Sequence, residues 1–122
     1  MALSLLTWRP WRLGGKNKIE SQKGNNMPVQ HMVWIKFREE ITEARQEEHL
    51  AGLRSLESKI PGILHLSVGK NFTDRAQGFT HGLLVTLQSK EALEVYAPHP
   101  EHVAVAGPLR EDAVLMAMDF EF

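Results

Sequence analysis

Val29-Gln-His-Met-Val-Trp-Ile-Lys-Phe37 is the stretch from which the architecture can be worked out. Successive side chains of a strand point to opposite faces, so Val29, His31, Val33, Ile35 and Phe37 share one side and Gln30, Met32, Trp34 and Lys36 the other. Both sides carry large apolar residues, which predicts a helix over one face and a second apolar surface over the other. Working outward, Thr42 is placed to cap a helix with Glu43 in its first turn. Leu50, Leu53, Leu56 and Ile60 follow at helical spacing, and Pro61-Gly62 ends the run. A second strand is expected from Ile63 to Lys70 and a polar loop from Asn71 to Gly78. The third strand reads from Phe79 to Leu87, with Phe79, His81, Leu83, Val85 and Leu87 on one face. Ser89 can cap a second helix that ends near Tyr96, where Pro98 and Pro100 interrupt it. A short helix over His102 to Ala106 is expected ahead of Gly107-Pro108, and Ala113 to Glu121 reads as the last strand.

The order βαββαβ specifies an α+β, ferredoxin-like plan, an antiparallel four-stranded sheet with both helices on one face. In that plan the first and third strands are neighbours, so His31 and His81 are expected to face one another beneath the helices. Met32, Trp34, Leu84 and Leu115 are expected on the opposite face, which a single chain leaves bare. An apolar sheet face of that size pairs with another copy, and the expected partner is therefore the chain itself, as a homodimer.

A chain of 122 residues can bury a core as one domain without disulfides, and the absence of cysteine excludes thiolate chemistry and cysteine-ligated zinc. The formal charge of −1 conceals an asymmetry: Arg9, Arg12, Lys16, Lys18 and Lys23 oppose only Glu20 in residues 1–26, and acids outnumber bases in the rest. A mildly acidic body argues against a nucleic-acid surface. Met1 to Trp8 is too short an apolar run to span a membrane and has no positive region before it, so neither a membrane anchor nor a secretory signal is expected, and the body is read as cytoplasmic. Three readings of residues 1–27 stand side by side. They are a disordered or spurious extension ahead of Met27-Pro28, a targeting peptide, or an arm that packs through Trp8 and Trp11, and the folded domain is expected over 28–122.

The chemistry concentrates in Tyr96-Ala-Pro-His99-Pro-Glu-His102, which holds the only tyrosine and two of the six histidines. Imidazole and phenol move protons near neutral pH, so the run points to acid/base chemistry, while the same residues can also be satisfied structural groups. His31 and His81 either orient a ligand or fix packing by hydrogen bonds, and His99 between two prolines can be no more than a helix-start residue. His49, flanked by Glu47, Glu48 and Leu50, reads as a solvated surface histidine, and His65 as a rim residue of an edge strand. His99 and His102, three apart with Glu101 nearby, have ligand spacing, but no third ligand is fixed, and no metal or other cofactor is expected.

Several separated motifs together resemble the stress-responsive dimeric α/β-barrel domain family. They are His31-Met-Val-Trp-Ile-Lys-Phe-Arg-Glu-Glu-Ile41, Lys59-Ile-Pro-Gly62, Gly69-Lys-Asn-Phe-Thr73, Gly78-Phe-Thr-His-Gly82 and Tyr96-Ala-Pro-His-Pro-Glu-His-Val103. The resemblance spans Pro28 to Phe122 and implies two ferredoxin-like protomers closing their sheets into a dimeric α/β barrel. By resemblance to plant polyketide-type cyclases of that family, Tyr96 and His102 would be catalytic. His102 would remove a proton alpha to a thioester carbonyl that Tyr96 polarises, and His31, His81 and His99 would bind substrate. The implied ligand is a small apolar or polyketide-like molecule. Pro98, and the run Val103-Ala-Val-Ala-Gly-Pro108, depart from the cyclase pattern. Family members also include proteins without assigned activity, so a non-catalytic stress-related or ligand-binding dimer stands as the alternative.

Overall fold

The computed structural model describes residues 27–122. The expected N-terminal extension, Met27 apart, lies outside the described residues. Strand β1 (Val29–Phe37) leads into helix α1 (Glu43–Ser55), whose start is fixed by the Thr42 hydroxyl accepting from the Arg45 amide at 3.1 Å. A 3-10 turn, Leu56–Ser58, extends the helix so that Ile60 still reaches the core. The chain then reverses at Gly62, whose φ of +93° suits glycine. β2 (Ile63–Lys70) and β3 (His81–Leu87) follow, then α2 (Lys90–Tyr96), capped by the Ser89 hydroxyl, α3 (Pro100–Asp112) and β4 (Ala113–Glu121).

The sheet is antiparallel in the order β2-β3-β1-β4, the ferredoxin-like arrangement with β1 and β3 in the middle. Val29, Val33, Ile35 and Phe37 of β1 and Leu83, Val85 and Leu87 of β3 face the helices and pack with Leu50, Leu53, Leu56 and Leu109 in one core. Each side chain of this size contributes about 1.5–3 kcal/mol when fully buried. The Phe122 amide donates to the Pro28 carbonyl at 3.0 Å, tying the last residue of the chain to the entry of β1.

Four expectations are corrected. Leu115 pairs with Ile35 and lies under the helices; the residues that share the bare face with Trp34 and Met32 are Val114, Met116, Met118 and Phe120. Trp34 and those four are between 40% and 63% exposed. His31 pairs with Val85 and His81 with Ile35, so the two imidazoles share a face but sit four residues apart along the strands and do not oppose each other. β3 begins at His81, two residues later than expected, and the Phe79 ring turns to the other face, edge-on to Trp34 at 5.8 Å. Finally, α3 runs through Gly107-Pro108 to Asp112. The carbonyl deprived of the Pro108 N–H belongs to Ala104, an exposed residue, so water can take the bond and the helix continues.

Candidate functional site

The break at Pro98 lets the chain turn between α2 and α3, and the His99 ring closes the turn. Its Nδ1 accepts from the Glu101 amide at 3.1 Å, capping α3, while Pro100 occupies the first helical position. The geometry brings His102, in the first turn of α3, back against Tyr96 at the end of α2, with ring centroids 4.5 Å apart. His102 Nδ1 lies 2.9 Å from the Ala97 carbonyl oxygen. A carbonyl only accepts, so Nδ1 carries the proton and Nε2 keeps a free lone pair.

On the sheet side, His31 meets Tyr96 edge-on at 5.4 Å. Its Nδ1 donates to Asp119 Oδ1 at 2.5 Å, across the β1–β4 pair that sets these two residues opposite one another. Asp119 was not singled out from the sequence. The signal for it was a carboxylate on β4 at the same parity as Ala113, Leu115 and Ala117, on the helix side of the sheet.

Tyr96 is 1% exposed, and its hydroxyl is buried without a hydrogen-bond partner among the described residues. Burial pushes the phenol up to about 12, so it stays a proton donor. Burial likewise holds His102 below the ordinary histidine value, against the bond to Ala97, and the neighbouring His31, Arg110 and His99 push in the same downward direction. A cavity of about 260 Å³ joins these groups: His31, Tyr96, His102 and Arg110 line it together with apolar walls that include Val33, Leu53, Leu83, Leu93 and Leu115. A histidine with a bare ring nitrogen and a phenol with an unused hydroxyl, in a largely apolar pocket, are groups able to move a proton.

His81 and His99 do not line this cavity. His99 is engaged as the cap of α3. His81 lies at the other end of its strand, edge-on to Phe37 at 5.2 Å, and lines a separate depression with Trp34, Lys70 and Phe79. The Thr80 hydroxyl donates to the Ile35 carbonyl, so His81 Nδ1 donates to Thr80 Oγ1 at 2.8 Å. Burial, then the charge of Lys70, lowers the His81 pKa.

His49 is not a surface residue. It is 5% exposed, stacks on Phe37 at 5.7 Å and bonds Asp112 Oδ2 at 2.7 Å, while Arg45 Nε reaches the same oxygen at 2.9 Å. The bonds from His49 and Arg45 hold the Asp112 carboxyl below its usual range. His65 is exposed on the edge strand β2, as its alternation suggested. Among the described residues no group of three His, Asp or Glu side chains is placed to hold a metal ion, and no helix is long and apolar enough to cross a membrane.

The comparisons with known proteins agree with this architecture. The stress responsive A/B barrel domain family matches residues 29–122. Olivetolic acid cyclase of Cannabis sativa is 38% identical over 79 residues, 63% of this chain and 78% of that protein. The stress-response A/B barrel domain-containing protein HS1 of Arabidopsis thaliana is 32% identical over 90 residues, 72% of this chain and 80% of its own length. Among solved structures, a dimeric protein of ferredoxin-like fold from Bacteroides fragilis superposes with a TM-score of 0.67 at 26% identity, covering 78% of this chain and 96% of the other. The chain belongs to the stress-responsive A/B barrel domain family.

Proposed function

We propose that the chain is a homodimeric barrel protein whose Tyr96–His102 pocket performs cyclase- or lyase-type proton transfer on a small polyketide-like molecule. The observation that carries this reading is the Tyr96 hydroxyl, buried and unpartnered beside a histidine with a free ring nitrogen in one apolar cavity. A buried hydroxyl without a partner is costly, and a bound carbonyl or enolate oxygen supplies the missing acceptor. His102 Nε2 then takes the proton from the carbon next to that carbonyl, and the Tyr96 O–H stabilises the charge that develops on oxygen. The His31 ring, steered by Asp119, holds the phenol from the sheet side. Similarity to olivetolic acid cyclase supports the substrate class. The exposed face of Trp34, Val114, Met116, Met118 and Phe120, and the dimeric state of the Bacteroides fragilis relative, support assembly with a second copy.

The test is turnover of short poly-β-keto thioesters by the full chain and by His102→Ala and Tyr96→Phe, with folding monitored in parallel. Cyclised product from the parent, lost in both folded variants, supports the reading. The same unfilled hydroxyl also suits a pocket that only binds. Binding of such ligands with no turnover in the parent overturns catalysis in favour of that second reading, and turnover undiminished in His102→Ala overturns His102 as the base.

A further inference from the structure

The cavity contains one permanently charged side chain, Arg110, and no carboxylate lines it. Arg110 stands two turns beyond His102 on α3, at an exposed position. Arg38, Arg45 and Arg54 each reach an oxygen acceptor within about 3.0 Å, at the Glu111 carbonyl, Asp112 and Glu47 respectively. Arg110 has no hydrogen bond or ion pair among the described residues, and the acid that points into the same layer, Asp119, is taken by His31. An unpaired guanidinium at the rim, a phenol O–H in the depth and apolar walls between them offer an anion two donors and no opposing carboxylate.

Resting on the reading of this cavity as the ligand site, we propose that Arg110 selects an anionic ligand, a small carboxylate with an aromatic or short acyl body. The carboxylate sits on the guanidinium at the mouth, and the body lies along Leu93, Leu109 and Leu115 towards Tyr96. Guanidinium and carboxylate match in planar geometry, and the absence of competing acids in the lining leaves both guanidinium edges available. His102 and Arg110 line the same cavity, which puts the anion within reach of that imidazole.

The experiment measures binding of 3-phenylpropanoate and its neutral amide to the full chain and to Arg110→Gln and Arg110→Lys by calorimetry, following the His102 ring protons by NMR. The parent is expected to favour the carboxylate by about tenfold or more, the worth of a charge-assisted hydrogen bond. Arg110→Gln should abolish that preference by weakening carboxylate binding far more than amide binding, and Arg110→Lys should restore part of it. The bound carboxylate should raise the His102 titration midpoint in the parent and not in Arg110→Gln. Equal affinities in the parent, with His102 resonances shifting for both ligands, overturn the role of Arg110 and leave the cavity reading intact. No shift at His102 with either ligand overturns both. A carboxylate preference that survives in Arg110→Gln assigns the anion to another residue and also overturns the proposal.

Discussion

Replacing Tyr96 by phenylalanine removes one oxygen from a ring that is 1% exposed and whose hydroxyl has no hydrogen-bond partner. Such a buried, unsatisfied group costs about 1–3 kcal/mol. The hydroxyl is enclosed, but its residue lines a cavity that leaves room to relax, so the gain on removing it is taken at the low end, about 1 kcal/mol. The two ring contacts, to His31 and His102, survive the substitution because phenylalanine keeps the ring. For a domain of this size about 1 kcal/mol corresponds to a melting midpoint raised by roughly 4–8 °C. The assay is thermal and urea unfolding of parent and variant at equal protomer concentration, since dimerisation makes the midpoint concentration-dependent. An unchanged urea slope confirms that the unfolding reaction itself is the same. A variant more stable than the parent but unable to turn over ligand is the expected result, a stability cost retained for function. A Tyr96→Phe protein less stable than the parent by about 1 kcal/mol or more would refute the argument, because the hydroxyl would then have a satisfied partner in the ligand-free protein.

The other expectations concern assembly, pH and the second histidine cluster. Trp34→Glu places a charge in the middle of the exposed sheet face and should convert the dimer to monomer or aggregate in sedimentation, given that a stable pair buries roughly 1,200 Å² or more; an unchanged dimer counts against that face. Because burial lowers the His102 pKa, the acid limb of kcat/KM should fall below the ordinary histidine value of 6.5, and a limb above it contradicts His102 as the base. His81 and His102 both bind protons more readily once unfolded, so stability should decline as pH falls through about 6.5, and urea midpoints at pH 7 and pH 5 check the sign. Asp112 adds a second decline at lower pH, since its depressed folded pKa stabilises the fold only while the carboxylate remains ionised. His49→Ala should lower the melting midpoint while His65→Ala leaves it in place; equal effects would refute the buried role of His49. A chain beginning at Met27 should melt with the full-length protein, and a loss of several degrees would show that the first 26 residues pack on the domain.

The inward parity of β1 was legible because the set holding Val29, Val33, Ile35 and Phe37 is apolar almost throughout, whereas the other parity mixes Gln30 and Lys36 with Met32 and Trp34. β4 is apolar at both parities, so pattern alone could not show that Leu115 faces the helices and Met116 the other side; only the pairing with Ile35 and Trp34 decides it. Register is likewise what separates His31 from His81 and joins His31 to Asp119, and register depends on the partner strand. The spacing of Tyr96 and His102 across Pro98 and Pro100 marked the local chemistry, since a break of that length can fold one helix start onto the preceding helix end. His49 was obscured by its acidic neighbours, yet it stands four residues before Leu53 on the buried stripe of α1, a signal that outweighs the charge beside it. The continuation of α3 past Gly107-Pro108 was not legible, because a proline rule written for isolated helices ignores the support of Ala106 and Leu109 in the core.

β1 divides its labour by odd and even number. Its odd positions set His31 and Val33 into the Tyr96–His102 cavity, and its even positions set Met32 and Trp34 on the exposed sheet face. The cavity wall and the exposed sheet face are therefore written on alternate letters of one nine-residue word, and substitutions can retune either without rewriting the other. The arrangement tolerates changes of letter but not of frame. Inserting or deleting a single residue within β1 would exchange the two sets at a stroke, sending the imidazole to the partner face and the indole into the core.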